Sequence, residues 1–430
     1  MVRWVRSGTE AFRKELRAAE RRGATSSEQV RGIVAEVLAR VRAEGDAALA
    51  EYTLRFDRFD LRRTGIRVSR RELEGGWKRT PKTLRASLEA AAERIDSFHR
   101  HQRDSGFLLD GGGVRIGQRV LPVARAGIYV PGGKAAYPST LLMNAVPARV
   151  AGVPEVYAVC AAPGGRVPDV VLAAARIAGV RGLFRIGGAQ AIAALAYGTR
   201  SVPRVDVVAG PGNAYVTEAK RQVYGEVGID MLAGPSELVV LADRSARADF
   251  VAADLLSQAE HDEDAFVALV TDSPPLARRV DRELAARASS LPRKAILAAS
   301  LSRAVGFLVR SRAEGVETVD RLAPEHLSLM VEDPEGALER IRNAGTAFLG
   351  PYSPVALGDY IAGINHTLPT GGAARFSSPL GVANFLTRTN VVSYEPRALA
   401  ADAPHVLRIA RKEGLTAHAR AVQARMEGEG

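Results

Sequence analysis

Residues 229–261 read IDMLAGPSELVVLADRSARADFVAADLLSQAEH, and the rest of the chain is organised around them. The turn Ala233-Gly234-Pro235-Ser236 leads into an apolar run from Leu238 to Leu241, which predicts a turn feeding a buried strand. From Ala246 onward, Phe250, Ala253, Leu256 and Ala259 recur at helical spacing. Gln258 and His261 fall three apart near the end of that helix, so both side chains share one face. An amide oxygen and an imidazole so placed can hold a metal ion. They also suit a solvated helix end, since Glu260, Asp262, Glu263 and Asp264 crowd the same place.

Working outward, short apolar runs alternate with helical runs on both sides of this stretch. Strands are predicted at 127–130, 156–160, 183–186 and 205–208, with helices at 139–151, 168–178, 189–197 and 214–224. The alternation restarts after Ser236, with strands at 238–241, 266–270, 305–309, 327–331 and 347–349. Such a βαβα pattern predicts parallel sheets. The expected fold class is α/β: two doubly wound, incomplete Rossmann-like parallel-sheet domains, a helical N-terminal segment and an extended C-terminal tail. Two similar blocks suggest a duplication, although no literal repeat is present. The expected division is 1–25 as an N-terminal helical segment, 26–124 with 236–380 as a first α/β domain, and 125–235 as an inserted one. The tail is 381–430.

Residues 1–25 read as one charged helix. Ser26 and Gln29 make a capping box for a second helix through Arg42, and Gly45 breaks it before a shorter helix to Tyr52. Pro81 suits the first turn of a long helix from Lys82, and Gly111-Gly112-Gly113 is a turn. The tail is a mixed stretch with a final helix at 415–426. It has little core of its own, so docking onto a partner subunit is one option.

A chain of 430 residues that is 47% apolar and 25% charged has room for two or three globular domains. No secretory segment and no uncharged apolar run of about 18 residues occurs, so a cytoplasmic protein without membrane spans is expected. The single cysteine, Cys160, excludes an internal disulfide framework. A net charge of +11 raises the question of nucleic acid. The Lys and Arg residues are interleaved with Glu and Asp and form no nucleic-acid motif, so an Arg-rich solvated surface accounts for the charge.

Three strand-to-helix junctions carry glycine: Gly127-Ile128-Tyr129-Val130-Pro131-Gly132-Gly133, Gly187-Gly188-Ala189-Gln190 and Gly210-Pro211-Gly212-Asn213. Backbone N–H groups there can receive phosphate, at the sheet edge where open α/β folds bind ligands. None has the spacing G-x-G-x-x-G, and tight turns that merely close βα units remain the alternative. Glu325-His326 precedes a strand-like run. Histidine suits proton abstraction near neutral pH and a glutamate can activate water; a surface ion pair beside a half-buried histidine is the other reading. Asp359 and His366 lie in a loop region rich in Gly and Pro, and Glu413 and His418 flank Gly414. Gln258, His261, Asp359 and His418 together make a donor set without thiolate that suits Zn²⁺ or a similar divalent ion.

The stretch 229–261 resembles the signature of the histidinol dehydrogenase family, and further matches run from Ser26 to His418. The resemblance implies oxidation of L-histidinol to L-histidine through a bound aldehyde, with NAD as acceptor and zinc as a template for the substrate. It implies that Gln258, His261, Asp359 and His418 are the ligands of one zinc per subunit, and that Glu325 and His326 are the acid–base pair. Ser236, His366 and Glu413 would contact substrate, and Tyr129, Gln190 and Asn213 would contact NAD. The family pattern also implies a homodimer whose tail completes the neighbour's site, so that Glu413 and His418 act in trans. Cys160, in an apolar strand, is inert by default, which favours water over a thiol adduct in the aldehyde step. Three competitors remain: a zinc hydrolase using Glu325, a charge-driven nucleic-acid binder, and a family relative acting on another amino alcohol or a sulfonate.

Overall fold

The computed structural model describes residues 2–23, 27–132 and 136–427. Ser26 and Gly133 lie outside the described residues. The cap of the helix Glu28–Glu44 is Ser27, whose hydroxyl accepts the N–H of Val30. Two compact units form. The larger runs to Gln102 and resumes at Ala124–Phe385; the smaller comprises Arg103–Val123 and the chain from Leu386 onward.

The described strands, in chain order, begin with β1 (Arg3–Arg6), β2 (Phe107–Gly111), β3 (Val114–Pro122), β4 (Arg125–Val130) and β5 (Glu155–Cys160). Next come β6 (Gly182–Phe184), β7 (Val207–Ala209), β8 (Gly228–Ile229), β9 (Glu237–Ala242) and β10 (Phe266–Thr271). The last are β11 (Val305–Leu308), β12 (His326–Met330), β13 (Thr346–Leu349) and β14 (Leu386–Tyr394). In the larger unit a five-stranded parallel sheet has the order β6-β5-β4-β7-β8, and a six-stranded parallel sheet the order β1-β11-β10-β9-β12-β13. Counted from its own first strand, each block is wound 3-2-1-4-5, as in the greater part of a Rossmann sheet. The expected fold class and the two-block reading therefore hold.

The all-buried sequence of β9, Glu-Leu-Val-Val-Leu-Ala, explains why that stretch sits at the centre of its sheet. Alternate side chains face opposite layers. Leu238, Val240 and Ala242 pack with Val251, Leu255 and Leu256 of the helix Ala248–Ala259. Val239 and Leu241 pack with Phe12, Leu16, Val316 and Val319 on the other face. The five-stranded sheet has its own core, to which Val34, Val37, Leu38 and Leu49 contribute. Thus the helices Glu28–Glu44 and Asp46–Asp57, grouped by sequence with the first α/β domain, supply side chains to the layer over the five-stranded sheet.

The N-terminal expectation needs correction. Residues 1–25 are not one helix: β1 pairs in parallel with β11, and only Glu10–Glu20 is helical. Charges at Arg3 and Arg6 hid a strand whose Val5 is buried and whose Trp4 is half-buried against the core, because an edge strand leaves some of its side chains in water. The tail is the mixed stretch expected, with its final helix at Thr416–Met426; what the sequence did not reveal is β14, which joins β3 and β2 in an antiparallel sheet ahead of the helix Pro396–Lys412. Gly112 and Gly113, both at positive φ, make the turn between β2 and β3. Among the described residues no helix is long and apolar enough to cross a membrane.

Candidate active site

Glu325 and His326 stand at the N-terminal end of β12, beside the N-terminal end of β9, where Ser236 lies. The helix Arg312–Leu322 ends at Ala323, held at φ 44°, and Pro324 follows. A left-handed non-glycine residue costs about 1 kcal/mol or more, and here it turns the chain abruptly onto the sheet edge. Both side chains are buried. The backbone N–H of Glu237 donates to Glu325 Oε2 at 2.7 Å, and the Glu237 carbonyl lies 2.9 Å from His326 Nδ1. A carbonyl only accepts, so Nδ1 carries the proton and Nε2 of the neutral ring holds the lone pair. Glu325 Oε2 is also 3.3 Å from Nδ1. The ring of His326 stacks on Phe348.

Burial pushes Glu325 above the ordinary carboxyl range, against the pull of His326. For His326, burial opposes the imidazolium, but Glu325 and then Asp359 outweigh it, and the ring is pushed up to about 9. Asp359, at the end of the helix Val355–Tyr360, places Oδ1 3.9 Å from His326 Nε2 and 3.9 Å from His366 Nδ1. His366 Nδ1 also lies 3.2 Å from the Asp359 carbonyl, and its Nε2 3.3 Å from the Thr140 hydroxyl. Burial pushes His366 down; Asp359 opposes this, while His326 and His261 add to it. His261 is therefore within electrostatic reach of the same cluster. Gln258 is buried on the last turn of the helix Ala248–Ala259, which packs on the Asp359 helix.

The structure thus gathers Ser236, Glu325, His326, Asp359 and His366 at one edge, with Gln258 on an adjoining helix; His261, expected on the same helix, lies instead in the turn that follows its end at Ala259, where its N–H donates to the Gln258 carbonyl at 3.2 Å. Among the described residues no three His, Cys, Asp or Glu side chains form a complete metal-holding group. Glu413 and His418 belong to the smaller unit, where both are exposed, Glu413 at the end of the helix Pro396–Lys412 and His418 in the helix Thr416–Met426.

Sequence reasoning missed Glu237 and Arg22. The guanidinium of Arg22 grips both oxygens of Glu237, at 2.8 and 2.7 Å, and also donates to the carbonyls of Ala19 and Leu322. Glu237 in turn accepts the N–H groups of Gly371, at 2.8 Å, and of Glu325, at 3.3 Å. One acid opening an otherwise apolar buried strand was the available signal, since a buried carboxylate requires partners.

The three glycine turns follow β4, β6 and β7, all at the C-terminal edge of the five-stranded sheet. Two of the helix starts are satisfied from within the protein. The Tyr129 hydroxyl accepts the N–H of Gly188 at 3.1 Å, and Asn213 Oδ1 accepts those of Tyr215 and Val216, both at 3.1 Å. Phosphate therefore does not find these particular donors open, contrary to the simplest reading of the motifs. Tyr129 is buried, and that burial pushes its hydroxyl up to about 12; Gln190 is buried and Asn213 exposed. Gly210 lies at φ 119°, and a Cβ there would stand 2.2 Å from the Tyr129 carbonyl oxygen, so only glycine fits. Hydrogen bonds tie the two sheets' layers together: Asn144 to Thr367 at 3.1 Å, Asn365 to the Met143 carbonyl, and Thr217 to the Ala233 carbonyl at 2.7 Å.

Known proteins resemble this chain along nearly its whole length. The histidinol dehydrogenase family model matches residues 20–426. A histidinol dehydrogenase of Parasynechococcus marenigrum (strain WH8102) is 51% identical over 99% of this chain and 98% of its own length. One of Prochlorococcus marinus (strain MIT 9313) is 48% identical over 99% and 97%. The crystal structure of histidinol dehydrogenase from Elizabethkingia anophelis superposes with a TM-score of 0.93 at 34% identity, covering 99% of this chain and 98% of that one. With family match, near-complete coverage and common fold in agreement, the chain belongs to the histidinol dehydrogenase family of oxidoreductases.

Proposed function

We propose that this enzyme oxidises L-histidinol to L-histidine through bound L-histidinaldehyde, the last steps of histidine biosynthesis, with NAD as acceptor. The observation that carries the reading is the buried pair at the start of β12: a histidine whose tautomer is set by the Glu237 carbonyl, next to a glutamate whose acidity burial weakens. In the first oxidation His326 Nε2 takes the hydroxyl proton. It returns that proton to the aldehyde oxygen as Glu325 takes a proton from the adding water, and the freed His326 then takes a hydroxyl proton of the resulting hydrate in the second oxidation. NAD, when bound, accepts the hydride in each oxidation; Tyr129, Gln190 and Asn213 are the residues we assign to it. The donor chemistry of these turns fits a dinucleotide met by side-chain amides and close-packed backbone rather than by helix N-termini, two of which are already capped.

Gln258, His261 and Asp359 supply an amide oxygen, an imidazole and a carboxylate, which suits Zn²⁺, with His418 as fourth ligand. Zinc bound there would hold the substrate's nitrogen donors as a template. Ser236 and His366 would contact substrate in the same unit. Glu413 and His418, on the smaller unit, would reach the site of a second copy in a homodimer. A cation on Asp359 would also weaken the hold of that carboxylate on the His326 proton, which a general base requires.

A thiol adduct is disfavoured on this structure. Cys160 is buried in β5, and burial pushes its thiol up to about 12, far from a usable thiolate.

The deciding measurement is NADH formation from L-histidinol, with histidine as product. Dialysis against a strong chelator should abolish it and Zn²⁺ restore it. Faster turnover of another amino alcohol or of a sulfonate analogue would reassign the substrate, and full activity after metal removal would discard the metal site.

A further inference from the structure

Beneath the turn Gly210–Asn213 lies an ion pair that the chemistry above does not use. Lys220 and Asp230 are in contact, with side chains 2% and 0% exposed. Lys220 is in the helix Ala214–Val223, which starts from that turn, and Asp230 follows β8 at the sheet edge. Their remaining polar atoms converge on one residue. Lys220 Nζ donates to the Gly210 carbonyl at 3.0 Å, and the Gly210 N–H donates to Asp230 Oδ2 at 2.8 Å. The other Asp230 oxygen accepts the N–H of Met231 at 2.7 Å.

Stability alone is a poor reason for this arrangement. Taking two charges out of water costs enough that an apolar pair of similar volume often does as well or better. What an apolar pair cannot do is grip a carbonyl and an amide at once. Gly210 needs such a grip: it lies at φ 119° in close contact with the Tyr129 backbone, and glycine otherwise visits many conformations. The segment leaving Asp230 runs on to Ser236 and is held to the Lys220 helix by the Thr217 bond to Ala233. One ion pair therefore braces the glycine turn of the five-stranded sheet and the start of the chain that enters the other functional edge.

We propose that Lys220 and Asp230 are positioning residues that lock the Gly210 turn in its cofactor-ready conformation before NAD arrives. This rests on the assignment of NAD to these turns. In a Lys220→Met/Asp230→Leu double variant, which leaves no unpaired buried charge, NADH affinity measured by fluorescence titration should fall about tenfold, as for a turn in its competent form about one-tenth of the time. The KM for histidinol should stay within about twofold. In wild-type protein, hydrogen exchange followed by mass spectrometry should show the Gly210 and Met231 amides protected without NADH and little changed on adding it. That measurement stands even if the double variant does not fold.

A variant that melts earlier yet binds NADH like wild type overturns the clamp, and so does a Gly210 amide that becomes protected only on adding NADH. Wild-type protein that binds no NADH overturns the NAD assignment and the clamp together. Wild type and double variant binding NADH equally overturns the clamp alone.

Discussion

The two parallel sheets of the larger unit share one winding order and carry their candidate site residues at opposite edges. In the five-stranded sheet the glycine turns stand at the C-terminal ends of β4, β6 and β7, with Gly210 beside Tyr129 where the strand order reverses. In the six-stranded sheet the same reversal falls between β9 and β12, yet Ser236, Glu325 and His326 stand at the N-terminal ends of those strands. The C-terminal end of that pair is closed by side chains. Asp243 accepts the N–H groups of Glu332 and Ser245, each at 2.9 Å, and no glycine opens the turn. Topology offers both sheets the same crevice; local residues decide whether it is open, and in the proposed mechanism an acid and a base buried at the other edge carry the chemistry there. Each working edge is braced by a buried ion pair, Lys220–Asp230 in one case and Arg22–Glu237 in the other.

If the edges divide the labour, removing the base at one should spare the other. His326→Asn is expected to lower kcat for histidinol by about 10²–10⁴-fold, with the KM for NAD unchanged in steady-state kinetics; a parallel loss of NAD affinity would erase the distinction. Breaking the Arg22 brace with Arg22→Met leaves Glu237 buried without its partner. Unfolding in urea should then show a loss of about 3–5 kcal/mol, and a loss under about 1 kcal/mol would mean that Gly371 and Glu325 hold that carboxylate unaided. Glu325→Gln separates the two members of the pair. Oxidation of supplied histidinaldehyde should slow about a hundredfold while the alcohol step is spared, and equal slowing of both steps would contradict the water-activating role.

The smallest effect comes from an acid that the six-stranded side leaves without a cation. Asp254, buried in the helix Ala248–Ala259 with the Ser328 hydroxyl at 3.4 Å, is pushed up to about 6 by burial. Because its folded value is raised, the stability it confers as a neutral acid is present below its ordinary value of 3.8 and lost as pH rises through about 6. Asp254→Asn should therefore be more stable than wild type at pH 7.5 by about 1–3 kcal/mol, with the gain gone at pH 3.5. A variant less stable at pH 7.5 would show that the charged form is well solvated.

Much of this was legible in the chain itself. The alternation from residue 127 onward marked both parallel sheets, and the strand predicted at 238–241 lies within β9 because a central strand buried on both faces is continuously apolar. β1 and β14 were not legible, since exposed strands carry charged and polar side chains that blur the period of two. Glu325 and His326 were legible as an acid beside a base, with a surface ion pair as the other reading, until the family resemblance gave them roles. Their burial, the tautomer set by Glu237 and the approach of Asp359 depend on segments far apart in sequence.

Which strands are central and where glycine must stand followed from residue order alone, because apolar periodicity and φ preferences are local properties of a few neighbouring residues. Which charges are buried together, and at which sheet edge, came from the folded chain. Desolvation and hydrogen bonding depend on what surrounds a group in space, and Arg22 meets Glu237 across more than two hundred residues of chain.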